Sequence, residues 1–347
     1  MKFVLLPCVL WFVVAAISCQ SNKENTTTEK ASAEINTDSV VRRIAILDTE
    51  ALRIIDSSAA IDVIAGGYKW TEGPVFIKDS GYLLFSDIPN NKIYKWKEGF
   101  GASLYLTPSG HTGPEKKEVE PGSNGLLLDA KGNLVLCQHG DRRIARMVAP
   151  LNNPKPEFIT LADRFNGKRL NSPNDAVFHP NGDLYFTDPP YGLDKRMADT
   201  AKDLDFQGVY RLKPNGQLDL VTKELKLPNG IALSPDAKLL YVSNSDSTNM
   251  VWMRYELDEN GLIKNKRLFY HAQAYDGTSA GNPDGMKVNK KGYLFAAGPE
   301  GIWIFNPAGK VLARIYTGAK TANCAFSPDE KRLFITCSTK VLTIRLK

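Results

Sequence analysis

The sequence is poor in the residues that most often do chemistry. Its 347 residues include only four histidines and five cysteines, with no Cys-x-x-Cys pair and no Cys/His spacing of the kind that holds zinc. It has no Gly-x-Ser-x-Gly elbow, so a Ser/His/Asp hydrolase lacks its usual sign. Positive charge is scattered, with Lys+Arg 44 against Asp+Glu 38 and no arginine-rich stripe or basic block, which argues against nucleic acid as a partner. No sustained helical period appears either. What is abundant is turn chemistry: 27 glycines and 20 prolines in a chain of ordinary globular composition point to many short strands.

The first residues set an expectation about compartment. Lys2 precedes an apolar run over 3–16, too short to span a bilayer, that ends in Ala16-Ile17-Ser18-Cys19. This is a lipobox-like end: cleavage before Cys19 leaves an acylated N-terminus on a periplasm-facing or cell-surface lipoprotein anchored in the membrane. A plain secretory peptide is the alternative. Residues 20–39 are rich in Asn, Lys, Thr, Glu and Ser and lack apolar residues to offset the entropy of ordering, so they read as a flexible tether. The expected organisation is a signal peptide over 1–18, a lipidated Cys and linker over 19–50, and one domain over 51–347. Cys137, Cys324 and Cys337 then remain; they read as small buried hydrophobes, with a Cys324–Cys337 disulfide as the lesser option.

Six copies of one hairpin run through that domain. They open at Glu72, Asn124, Asn174, Asn229, Asp284 and Asn323, 39 to 55 residues apart, a spacing that suits a propeller blade. Each is a short strand, a turn such as His179-Pro180-Asn181-Gly182, and a returning strand. The sequence therefore predicts an all-β, six-bladed β-propeller. The segment 61–64 is expected as an outer strand closing the ring against 341–346. A two-sheet sandwich is the runner-up, but it leaves the phase of the hairpins unaccounted for.

All six opening residues carry a side-chain oxygen. Inner strands line a propeller's channel, so these positions converge at one mouth, and the returning strands should bring Asp87, Gln138, Asp188 and Asn244 to it as well. Asn and Asp before Gly are also ordinary turn residues, but that does not account for Glu72. Two carboxylates among neutral amides, without converging His or Cys, suit a hard divalent cation: Ca²⁺ first, then Mg²⁺ or Mn²⁺, with Zn²⁺ a poorer fit. Such a site leaves the cation electrophilic enough to polarise a carbonyl, and Asp284 is placed to accept a proton from water. His139, just after Gln138, is the histidine that the repeat puts beside the mouth.

At these residues the sequence resembles the gluconolactonase and regucalcin (senescence marker protein) family of six-bladed propellers, in its bacterial gluconolactonase branch. The motifs are Thr71-Glu72-Gly73-Pro74, Asn171-Ser172-Pro173-Asn174-Asp175, Tyr185-Phe186-Thr187-Asp188-Pro189, Leu227-Pro228-Asn229-Gly230 and Pro283-Asp284-Gly285-Met286, over about 55–346. The resemblance implies a divalent metal on Glu72, Asn229 and Asp284, with Asn174 at the metal or on the substrate, and Asp284 as acid/base. It also implies metal-dependent hydrolysis of a gluconolactone-like sugar lactone. The animal members place an Arg where this chain has Ser172, which leaves Asn124, His139 and Arg169 as candidates for holding sugar hydroxyls. A noncatalytic calcium-binding propeller that captures a protein or glycan, and an esterase for non-sugar lactones, are the competing expectations.

Overall fold

Strands with both faces apolar and a period of two must be covered on both sides, and a ring of radial sheets does this by stacking each sheet against two others. The computed structural model, which describes Met1 and residues 42–115, 117–272 and 281–347, is a six-bladed β-propeller. The expected signal peptide, Cys19 and the tether as far as residue 41 lie outside the described residues. The blades occupy 71–106, 123–162, 176–222, 228–271, 286–316 and 321–345, and their sheets are antiparallel meanders. A small hairpin, Arg164–Phe165 with Lys168–Arg169, lies outside them.

The core is divided among the blade interfaces. In the first blade Leu83 and Phe85 pack on Ala325 and Phe334 of the sixth, while Tyr82 and Leu84 pack on Leu126 and Leu134 of the second. The same alternation repeats around the ring, giving one apolar cluster per interface.

Near the axis the blades come closer than side chains allow. A Cβ on Gly73 would stand 1.9 Å from the Asn124 carbonyl oxygen, and one on Gly230 would stand 2.3 Å from that of Asp284. The glycines after the ring residues thus serve close packing of neighbouring inner strands rather than turns. The space they leave is stitched by hydroxyls. Ser86 Oγ donates to the Asn124 carbonyl at 2.9 Å, Thr187 Oγ1 to that of Asn229 at 2.6 Å, and Ser243 Oγ to that of Asp284 at 2.9 Å.

The sixth blade is closed as expected. Ile61–Gly66 is its outermost strand, paired antiparallel with Lys340–Arg345. The expected linker over 19–50, however, runs too far. Arg43–Ile46 is a fifth strand on the fifth blade, with Arg43 opposite Tyr316 and Ile46 opposite Ala313. Ile44 and Ile46 pack into the cluster between blades five and six, so the propeller fold already includes residue 43. The disulfide option also fails. Register sets Cys324 opposite Ile335 and Cys337 opposite Thr321, and all three described cysteines are free and buried.

Ring closure generates a prediction. Val341, Leu342 and Ile344 are buried in the strand between Ile61–Gly66 and Arg332–Cys337. At roughly 1.5–3 kcal/mol per buried aliphatic side chain, they contribute about 5–9 kcal/mol, comparable with the whole stability of a domain. A chain lacking 341–347 should lose the cooperative melt of the whole propeller in calorimetry. A truncated chain that melts like the full one refutes closure as the source of stability.

Candidate functional site

The ring residues reach the channel mouth because the inner strands bulge there. In the first blade three steps on the inner strand, Glu72 to Val75, oppose two on its partner, Ser86 to Leu84; Ser123 to Leu126 and Pro228 to Ile231 do the same. In the third blade Asn174 donates its N–H to the Thr187 carbonyl while Thr187 donates to that of Asp175, so two residues oppose one. Such a bulge turns a side chain off the pleat, here toward the axis.

Glu72, Asn124, Asn174, Asn229 and Asp284 consequently line one cavity of about 370 Å³. Its remaining wall includes Trp70, Ile88, Glu120, Tyr191, Arg196 and Lys320. Asn323 does not reach the wall. Its blade bulges between Thr321 and Asn323, so Thr321 lines the cavity while the Asn323 amide turns beneath it and donates to Asp175 Oδ2 at 3.3 Å. Lys287 Nζ lies 3.8 Å from the same carboxylate oxygen. Below the ring, then, an ammonium and an amide meet a third carboxylate.

The electrostatics are those of like charges withdrawn from water. Burial first, then the nearby Asp175 carboxylate, pushes Glu72 up to about 8, against opposing hydrogen bonds from Gly73 N–H and Asn323. Burial, followed by Glu72 and Asp175, drives Asp284 well above the carboxylate range. Asn124 Oδ1, Asn229 Oδ1 and Asp284 Oδ1 are buried and accept no hydrogen bond. Oxygens left without donors around two carboxylates fit a hard divalent cation. Among the described residues no group of three or more His, Cys, Asp or Glu is placed to hold a metal, so amide oxygens must complete any such set.

Other expectations are corrected. Asp87, Gln138, Asp188 and Asn244 do not join the cavity wall; each is buried and fastens a loop. Asp87 Oδ1 accepts from Lys69 and Trp70 N–H at 3.1 and 3.2 Å, and the Asp188 oxygens accept from Asn171 and Ser172 N–H at 2.8 Å each. Asn244 Oδ1 accepts from Leu227 N–H at 2.9 Å, and Gln138 Nε2 donates to the Ser109 carbonyl at 2.8 Å. Arg169 is also elsewhere. It donates to the Asp141 carbonyl at 3.1 Å from the small hairpin and is absent from the cavity wall. His139 is wholly buried behind the wall, its Nδ1 3.0 Å from Glu120 Oε2.

Ser172 has a distinct role. Its hydroxyl donates to the Pro189 carbonyl at 2.6 Å and accepts from Gly192 N–H at 2.9 Å, fixing the loop that carries Tyr191 into the site. Tyr191 lies beside Asp284, Asn229 and Ser245, and burial raises its hydroxyl's affinity for its proton. Glu120, Tyr191, Arg196 and Lys287 were not assigned from sequence. Glu120 sits on the loop between the first and second blades, and Tyr191 and Arg196 on the loop between Leu184–Asp188 and Gly208–Leu212 of the third; neither loop has a repeat phase, and only the Tyr185-to-Pro189 motif pointed near them.

The raised carboxyls give a sign for pH dependence. In the folded, metal-free protein Glu72 holds its proton to about pH 8, whereas its ordinary value is 4.5. Its contribution to stability is therefore full below 4.5 and is lost as pH rises through 8. Melting temperature in chelator should fall between pH 5 and 8, and Glu72→Gln should make the fall shallower. A wild-type melting curve that is flat or rising over that window rejects the buried carboxyl pair.

Residues 70–339 match the family described as SMP-30/Gluconolactonase/LRE-like region. The chain is 42% identical over 301 residues to a gluconolactonase of Zymomonas mobilis subsp. mobilis, covering 85% of this chain and 83% of that one. It is 26% identical over 275 residues to regucalcin of Oryctolagus cuniculus, covering 77% and 82%. A solved structure of a gluconolactonase from Xanthomonas campestris superposes with a TM-score of 0.74 at 28% identity, covering 88% of this chain and 95% of that one. With the family match spanning most of the propeller and its ring of oxygens, this chain belongs to the SMP-30/gluconolactonase/LRE-like family.

Proposed function

We propose that this protein is a metal-dependent lactone hydrolase that opens a gluconolactone-like sugar lactone to the aldonic acid. One observation carries the reading: two buried carboxylates share a cavity of about 370 Å³ with amide oxygens that have no donor, in a chain 42% identical to a gluconolactonase. Glu72, Asn174, Asn229 and Asp284 would hold the divalent cation, Ca²⁺ in first place. Such a cation supplies Lewis acidity at the lactone carbonyl.

The chain's own groups account for the rest. Asp284 sits where burial and Glu72 strengthen its hold on a proton, so it is a better base than a surface carboxylate. It takes a proton from the attacking water as oxygen bonds to the carbonyl carbon. When the ring C–O bond breaks, the same oxygen returns the proton to the leaving alkoxide. The Asn124 and Asn174 amides stand in the wall, with N–H groups able to orient a hydroxylated ring. Trp70 and Ile88 present apolar surface to its other face.

Hydrolysis of D-glucono-1,5-lactone followed by proton release, with Ca²⁺, Mn²⁺ or Zn²⁺ added to chelated protein, tests the reading. Asp284→Asn keeps shape and an oxygen but removes the proton acceptor, and it should lower kcat by roughly 10²–10⁴-fold at saturating metal. Arg169→Ala, which leaves the cavity wall intact, should retain activity. Wild-type turnover in the Asp284 variant, or no lactone opened by wild type with any of the three metals, refutes it.

The proposal extends to location: Cys19 is acylated, and residues 20–39 tether the propeller to the membrane on its periplasmic or outer face. Intact mass of the mature protein should show removal of residues 1–18 and added acyl chains. An unmodified N-terminus rejects the anchor.

A further inference from the structure

One carboxylate in the cavity wall lies outside the metal ring. Glu120 belongs to the loop between the first and second blades, and Glu118 N–H ties that loop, by donating to Asp194 Oδ1 at 3.2 Å, to the loop within the third blade that carries Tyr191 and Arg196. Glu120 Oε2 lies 3.0 Å from Nδ1 of the fully buried His139, and Oε1 lies 3.8 Å from Nη2 of Arg196. Arg196 in turn lies over the Tyr191 ring at 5.6 Å. The carboxylate is therefore gripped from two sides while part of it stays open to the cavity.

His139 makes this a costly arrangement for a merely structural pair. Its Nε2 is buried without a partner, and its Nδ1 contact with Glu120 is close but off hydrogen-bond alignment. Cβ-less Gly192 lies directly on it, where an added methyl would be 2.6 Å from His139 Cβ. An apolar side chain would fill the same space without a buried, unsatisfied nitrogen. A carboxylate has about four lone-pair sites. His139 at 3.0 Å and Arg196 at 3.8 Å flank the carboxylate without hydrogen-bonding to it, so its lone pairs on the cavity side can accept neighbouring hydroxyls from one ligand.

We propose that Glu120 is the specificity-determining residue of the cavity, held by His139 and Arg196 so that it accepts the ring hydroxyls of a hydroxylated lactone. The proposal rests on the lactone-hydrolase reading above and assigns the substrate class to one side chain. Glu120 selects; Asp284 and the ring react. His139 is a positioning residue, since it reaches the cavity only through Glu120.

The test compares D-glucono-1,5-lactone with δ-valerolactone, which has the same ring and ester but no hydroxyls. A hydrogen bond to a charged acceptor is worth about 1.5–3 kcal/mol, or roughly 10–100-fold. Glu120→Gln should therefore lower kcat/KM for gluconolactone by that factor, chiefly through KM, and leave δ-valerolactone within about 3-fold. His139→Leu should shift the gluconolactone KM in the same direction, and His139→Gln, which keeps a donor, should restore it. Equal losses on both lactones, or no loss on gluconolactone, overturn the proposal. Saturation-transfer NMR with 1,5-anhydroglucitol, which keeps ring hydroxyls but has no carbonyl, gives a readout without turnover. Its signal should fall in Glu120→Gln, and an unchanged signal overturns the assignment even where wild type opens no lactone and the hydrolase reading itself has failed.

Discussion

Around the axis, neighbouring inner strands approach at several positions closer than a Cβ permits. The chain meets this constraint with glycine directly after the ring residue, as at Gly73 and Gly230, and with a bulge that turns the preceding side chain out of the ladder. Packing and function are thus the same local event. The geometry that lets neighbouring blades touch also aims Glu72 and Asn229 into the channel, and the hydroxyls of Ser86, Thr187 and Ser243 lock the carbonyls those turns expose. Moving a ring residue by one position would fill the axis with a side chain and send its oxygen into a blade interface.

Charge is organised by depth. Glu72 and Asp284 face the cavity and disfavour each other's ionisation, while Asp175, one layer below, meets Lys287 and Asn323. Lys287 lies against the lower carboxylate, and its field only partly offsets the burial of Glu72, so the upper pair gains most from a cation. This division separates a structural carboxylate from the reactive ones in the layer above it, although Asp175 is as buried as Glu72.

The parts of the molecule visible in the sequence were those that repeat. Six in-phase strand–turn–strand hairpins and an oxygen-bearing residue at each hairpin start identified the blades and the ring, and the closing strand expected over 61–64 runs to Gly66. What repeats need not repeat its role, however. Asp87, Asp188 and Asn244 recur at strand ends but serve as anchors for loop N–H groups, and Asn323 is displaced because its bulge falls one residue away from the others. Arg43–Ile46 was hidden by its brevity and by its place outside the hairpin repeats. Glu120, Tyr191 and Arg196 could not be found by phase at all, because loops are positioned by contacts such as that of Ser172 with Pro189 and Gly192, which have no periodic trace.

The shared sixth blade has a consequence for synthesis. Ile61–Gly66 is made before the first blade, yet its hydrogen-bonding partner, Lys340–Arg345, is made only after the other five. Until the sixth blade is made, that strand waits with an open edge, and five blades stand in an arc whose two end faces are bare. Loop closure over such a separation is slow, and bare strand edges invite pairing with other chains. The hazard for this protein is therefore greatest before Ala325 and Phe334 of the sixth blade reach Leu83 and Phe85 of the first.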